Sequence, residues 1–397
     1  MFSRRRIFHS IAWLAALLGP TPFAAADQPA ERHLLYVATP GVRNYLEYGG
    51  HGLLVFDRDD EHRFVKRIPT AGLDEQGTPL NVKGICASAA TGRVYISTLR
   101  HLQCLDLVSE ELLWQREYEG GCDRMAIAPD GRHIFLPSLE GPHWHVVDAS
   151  TGDVLTTISP GSGAHNTICA LDGREAYLAG LRSPNLTVVD ADPLSLLTDR
   201  RRAGGIGPPV LETRTVGPFS AGIRPFTVDG RRRRCYVCVN DLLGFEVGDL
   251  TSGEMLHRVE VTGYERGPVK RHGCPSHGIA LSPDEREIWL TDAANRRLHL
   301  FDASESPPRQ VESIELRDEP GWVTFSLDGR HAYPSTGEAI DAASRKIVAT
   351  LADENGQAVQ SEKMLEIVFQ DGRPVRNGDQ FGLGRVAESP AADGAER

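Results

Sequence analysis

A phrase of about 40 residues recurs along the chain, and that recurrence constrains the fold more than any other feature. Its core is an apolar strand, a tight turn and a second strand rich in Tyr, Ile and Val. It reads CDRMAIAPDGRHIFLPS from Cys122, AHNTICALDGREAYLAG from Ala164, GIRPFTVDGRRRRCYVCVN from Gly222, CPSHGIALSPDEREIWLTD from Cys274 and PGWVTFSLDGRHAYPST from Pro320. VKGICASAATGRVYIST from Val82 is a degenerate copy. Turns of the Asp-Gly type between alternating apolar runs mark hairpins. A third strand then ends in Asp (HWHVVDASTGDV, NLTVVDADP, RRLHLFDASE), and a fourth follows (DVLTTI, EMLHRVEV, KIVATL). Four short strands in a repeat of this length form the blade of a β-propeller.

Six copies fall at 81–118, 119–158, 162–201, 215–261, 272–316 and 319–351. The chain ends supply a seventh. HLLYVAT, HGLLVFD and RFVKRIP near the N-terminus read as second, third and fourth strands with no first strand before them. KMLEIVFQDGR from Lys363 is a first strand and turn with nothing after it. Joining the two removes the exposed edge of an open array. The expectation is an all-β, seven-bladed β-propeller of four antiparallel strands per blade, closed by a C-terminal inner strand. It spans 27–386 as one domain and is followed by a disordered tail at 387–397.

The blades resemble those of the YVTN family of bacterial β-propellers, whose blades carry an SPDG-type turn, a YVTN-like second strand and a third strand ending in Asp. The nearest matches are 278–284 with 288–292, and 126–131 with 146–152. The resemblance covers nearly all of the chain after its N-terminal segment. It implies the propeller fold and an exported bacterial protein, and names no catalytic residue. Propellers of this kind are similar to cell-surface proteins, to lactonases and to subunits of quinoprotein amine dehydrogenases.

The first 26 residues read as a secretory leader. A basic start leads into an uncharged apolar stretch and a small-residue exit at Ala24-Ala25-Ala26. Arg5-Arg6-Ile7-Phe8 resembles a twin-arginine signal, and an ordinary basic leader reads equally well. Gly19, Pro20 and Pro22 break the apolar run, which argues against a retained membrane span. The expected location is periplasmic or secreted. Loss of the leader's three arginines would take the net charge from −11 to −14. A field of that sign repels nucleic acid and anionic lipid. The four arginines at 231–234 follow an Asp-Gly turn and read as a solvated hairpin corner. Seven cysteines give no legible disulfide framework; Cys86 and Cys169 sit in apolar strand runs and read as buried thiols.

In a propeller the first strand of each blade lines the central channel, and its start lies at one mouth. Aligning the blades on their turns places Gly84, Asp123, His165, Gly222, His277, Gly321 and Met364 at one position, seven residues before the turn. His165 and His277 thus stand at the mouth, two blades apart. The scaffold does not demand histidine there, because other blades place glycine. Lys83, Arg124, Asn166, Arg224, Trp322, Lys363 and Glu366 lie within about two places of the same ring. The loop TPGVRNYLEYGGHG from Thr39 could bring Tyr45 and His51 over it, and SLEGPHWH adds Glu140 and His143.

Histidines with acids and bases at one mouth suit acid–base chemistry near neutral pH. His165, His277, Arg224 and Glu366 are the candidate catalytic residues. Lys83, Asp123, Arg124, Asn166, Trp322, Lys363, His51 and Tyr45 are the candidate ligand contacts. A divalent metal held by His165, His277 and Asp123 or Glu366 is a further option, unsupported by any metal-ligand spacing. Two classes remain open. One is a monomeric exported propeller that binds a small anionic ligand, a glycan or a partner protein. The other is a lyase or lactonase acting on an acidic sugar or related small molecule.

Overall fold

The computed structural model describes residues 31–192 and 211–386. The expected leader and C-terminal tail lie outside them. Seven antiparallel sheets are built in chain order, and each is a blade. Blades two to seven carry four strands each, and the ring is closed as the sequence implies. Arg32–Thr39 pairs with Met364–Gln370, with Tyr36 opposite Leu365 and Val37 opposite Met364. The Ala38 amide extends this ladder to the Lys363 carbonyl at 2.9 Å.

The repeated turn residues have physical reasons. Gly131, Gly173 and Gly329 adopt φ of 69°, 75° and 71°, which only glycine reaches without strain. In five of the blades the aspartate before the turn accepts a backbone amide through Oδ1, as Asp130 does from Arg132 at 2.9 Å and Asp172 from Arg174 at 3.0 Å. The aspartate ending each third strand caps the next turn in the same way. Asp148 accepts from the Ser150 amide at 2.8 Å and Asp249 from Thr251 at 2.8 Å. Facing sheets bury large side chains between them, including Trp144, Trp289, Phe135, Phe245 and Phe301. Each buried Phe stabilises the fold by roughly 1.5–3 kcal/mol. All seven cysteines are buried and free. Among the described residues no helix is long and apolar enough to cross a membrane.

Two features depart from the sequence reading. The fourth strand of the fourth blade is Thr213–Val216, paired with Leu186–Asp190, so that blade runs past 201 and the fifth begins later than 215. The closing blade also has a fifth strand, Arg373–Asn377, added to the channel side of Met364–Gln370. Beyond it, residues 378–386 cross the end of the channel opposite the mouth. The Gln380 side chain accepts from the Ile85 amide at 3.2 Å and donates to the Met125 carbonyl at 3.0 Å. The Gly382 carbonyl accepts from Thr227 Oγ1 at 2.9 Å and from the Leu281 amide at 3.0 Å. This strap satisfies inner-strand polar groups of several blades. It carries no blade pattern, so the repeat gave no warning of it.

Truncation after Gln360 removes the inner strand of the closing blade and the strap together. The truncated chain should aggregate or melt far below the full chain. An unchanged melting temperature, read by circular dichroism, would contradict closure by this strand.

Candidate functional site

At the mouth, the starts of the inner strands and the loops between second and third strands enclose a cavity of ≈ 250 Å³. Lys83, Arg124, His165, Arg224, His277 and Lys363 border it, as the alignment of blades implies. They come from six blades, and each is set there because its strand begins at the channel. Arg43, Arg271, His272, Glu140 and Glu362 complete the polar lining. Six of these lining groups are arginine or lysine against two carboxylates, in a chain whose net charge is −11. The positive field is therefore local to the mouth, which suits a small anion.

One wall is an aspartate–histidine pair. Asp123 is fully buried, and its Oδ2 lies 2.7 Å from His165 Nδ1. Lys83 Nζ stands 3.4 Å from the other oxygen. Burial alone would raise the Asp123 pKa, but His165 and Lys83 outweigh it and hold the carboxyl below its usual range. Asp123 fixes the His165 tautomer with the proton on Nδ1, leaving a lone pair on Nε2. That nitrogen is buried and has no hydrogen-bond partner. Burial lowers the His165 pKa and Asp123 opposes the shift, so the imidazole is neutral at pH 7.

The opposite wall is built on Glu362. Its Oε2 pairs with Arg124 and, at 2.9 Å, with Lys363 Nζ, which also donates to the Gly41 carbonyl at 2.7 Å. Its Oε1 lies 3.0 Å from His272 Nδ1 and 3.9 Å from His277 Nδ1. His277 Nδ1 also lies 3.0 Å from the Gly321 carbonyl, which accepts its proton. The Arg124 guanidinium is stacked over Trp322 at 3.7 Å from the ring centroid. Burial raises the Glu362 pKa, but Lys363 and Arg124 prevail and hold it well below the carboxylate range. Burial pushes the Lys363 amine down to about 7. A Cβ at Gly321 would overlap His272 Cε1 and Glu362 Oε1, so any larger residue there would displace both side chains.

Several expected residues lie elsewhere. Glu366 is not at the mouth. It accepts from His33 Nδ1 at 2.6 Å, Arg58 Nη1 at 3.0 Å and the Leu327 amide at 2.5 Å, tying the closing blade to its neighbour's turn. Its position two residues into the strand turns it from the mouth toward that interface. Tyr45 packs edge-on against Tyr48 at 5.9 Å, and His51 contributes a backbone carbonyl to Arg67; neither borders the cavity. Asn166 is buried behind the lining with both ends of its amide unpartnered. His165 and His277 share the cavity but not one cluster, because Asp123 holds the first and Gly321 and Glu362 the second. The expected metal set of His165 with His277 is therefore replaced by His272, His277 and Glu362, whose candidate ligand atoms lie within 4.8 Å of one another. Glu362 and Arg271 were missed by the sequence reading. Both stand in loops just before inner strands, outside the aligned position.

A larger cavity of ≈ 420 Å³ lies at the strap end. Cys86, Met125, Ile168, Cys169, Phe381 and Leu383 give it a mainly apolar wall. Arg376, Asp379 and Arg385 also border it, but its lining holds no histidine.

No protein-family profile matches the chain, and no curated protein does. Solved structures do. One is a periplasmic gluconolactonase of Pseudomonas aeruginosa, with TM-score 0.59 and 16% identity over 88% of this chain and 99% of that one. Another is a dihydro-heme d1 dehydrogenase in complex with DHE, with TM-score 0.56 and 14% identity over 87% of this chain and 73% of that one. At these identities the likeness shows the fold. The class is thus a seven-bladed β-propeller with a polar, cationic channel mouth.

The buried Glu362 carboxylate neutralises two cations, so Glu362→Gln should cost roughly 3–5 kcal/mol, as breaking a buried ion pair does. His277→Ala should cost about 1–3 kcal/mol, because it strips a buried carbonyl of its donor. Chemical denaturation of both variants checks this order. Equal stability of wild type and Glu362→Gln would show that the pair is not a structural hub.

Proposed function

We propose that the mouth binds a small anionic, sugar-acid-like molecule and that the Asp123–His165 pair makes it a lactonase. The observation that carries this is an imidazole oriented by Asp123, its Nε2 unpartnered, on a residue that borders a cavity lined by six arginine and lysine side chains. In lactone hydrolysis a water would attack the ring carbonyl while His165 Nε2 takes its proton. The oxyanion would face the cationic wall. The ring oxygen would then leave with the proton returned from His165, giving the open hydroxy acid. Asp123 holds the imidazole and stabilises its charged form between the two transfers. Arg224 is oriented for the anion, with Nε donating to Asn240 Oδ1 at 2.6 Å. The gluconolactonase among the structural neighbours supports the reaction class, and its periplasmic location supports the same for this chain. The leader-like N-terminus and the YVTN-like blade motif support export of a bacterial repeat propeller.

The test is hydrolysis of gluconolactone above the buffer rate, followed by pH-stat. His165→Asn should lower kcat by roughly 10²–10⁴ with little change in KM. Arg224→Met should chiefly weaken inhibition by the gluconate product. A wild-type rate equal to that of His165→Asn, or to buffer, refutes the assignment.

The pH profile gives a further check. His165 works as a base only when neutral, and burial sets its pKa below the ordinary value of about 6.5. The acid limb of kcat should therefore be centred below pH 6.5, with activity lost on acidification through it. An acid limb centred above 6.5, where activity falls as pH falls, would contradict the role.

A further inference from the structure

The wall opposite His165 has features that the acid–base reading does not use. His272 and His277 stack with ring centroids 5.1 Å apart, and both face the same oxygen of Glu362. Arg124 and Lys363 engage only the other oxygen, so Oε1 is left to the imidazoles. His272 is buried with its side chain 2% exposed, and its Nε2 has no hydrogen-bond partner. A histidine held by one carboxylate contact, with its second nitrogen orphaned, is an expensive way to fill a wall. Glycine at 321 makes room for both the ring and the carboxylate.

We propose that His272, His277 and Glu362 bind a divalent transition-metal ion at the channel mouth. Two nitrogens and a carboxylate oxygen suit zinc or a neighbouring first-row ion. Ligands of a tetrahedral ion with bonds of this kind stand roughly 3.3 Å apart. The Nδ1–Oε1 separations of 3.0 and 3.9 Å bracket that spacing. The ion takes the place of the proton between His272 Nδ1 and Glu362 Oε1, and that proton moves to the unpartnered Nε2. His277 gives up its bond to the Gly321 carbonyl and carries its proton on the other nitrogen. The fourth position faces the cavity, where water or the carboxylate of an anionic ligand completes the shell. The cations around Oε2 make an anionic fourth ligand the favoured one. The site stands apart from the Asp123–His165 pair, so it does not depend on the lactonase reading.

The test uses tag-free, chelator-treated full-length protein titrated with Zn²⁺ by calorimetry, and with Co²⁺ by visible absorption. One ion per chain is expected, with Co²⁺ bands of a low-coordinate site. His272→Asn and His277→Asn should each weaken Zn²⁺ binding by at least about tenfold while the variants still melt cooperatively. His165→Asn should bind Zn²⁺ as wild type does even if it has lost turnover. His143 and His145 form another close imidazole pair, with Nε2 atoms 3.0 Å apart, so His145→Ala is the control. Absence of stoichiometric uptake, uptake indifferent to both His272 and His277, or uptake abolished by His145→Ala would each overturn the proposal.

Discussion

Everything at the mouth depends on one strand pairing, that of Arg32–Thr39 with Met364–Gln370. Without it the closing sheet lacks its inner strand and two edges stand open. The same pairing delivers the site. It carries Glu362 and Lys363 to the channel from one end of the chain, and Gly41 and Arg43 from the other. Ser361 Oγ reinforces the joint by donating to the Ala38 carbonyl at 2.7 Å. Ring closure and the assembly of the Glu362 wall are therefore one event, and the site exists only in the closed ring.

The repeat made the fold legible because each blade repeats the same local solutions. A positive-φ glycine turns the first hairpin in most blades, with Arg232 and Glu285 taking that place in two, and an aspartate caps the next turn; both leave marks in the sequence at fixed intervals. The strap left no such mark, since its work is done by backbone and amide groups that any loop could carry. The site was legible in part for the same reason. Alignment on the turns found His165, His277, Arg124, Lys83 and Lys363, because the start of an inner strand is a fixed place in space. It failed for Glu366, where a shift of two residues moved the side chain from the mouth to the neighbouring turn. It missed Glu362 because the loop before a strand has no fixed register. Tyr45 and His51 sit in a long loop whose path the repeat does not specify.

The electrostatics divide the labour. Buried carboxylates at Asp123 and Glu362 each cost desolvation, and each is compensated by cations at the cavity wall. The balance leaves the mouth positive while the surface as a whole is negative. Such a mouth draws in a small anion and repels larger polyanions, in keeping with a cavity of ≈ 250 Å³. The two walls are chemically distinct, one an oriented base and the other a carboxylate shared between imidazoles and cations.

The central claim is that the mouth is the ligand site. Its most direct test is a crystal structure of the protein soaked with gluconate. The account predicts the carboxylate among Arg224, Lys83 and Lys363, with a hydroxyl or water within hydrogen-bond reach of His165 Nε2. Gluconate seated instead in the strap-end cavity, or a mouth unchanged at saturating gluconate, would contradict it.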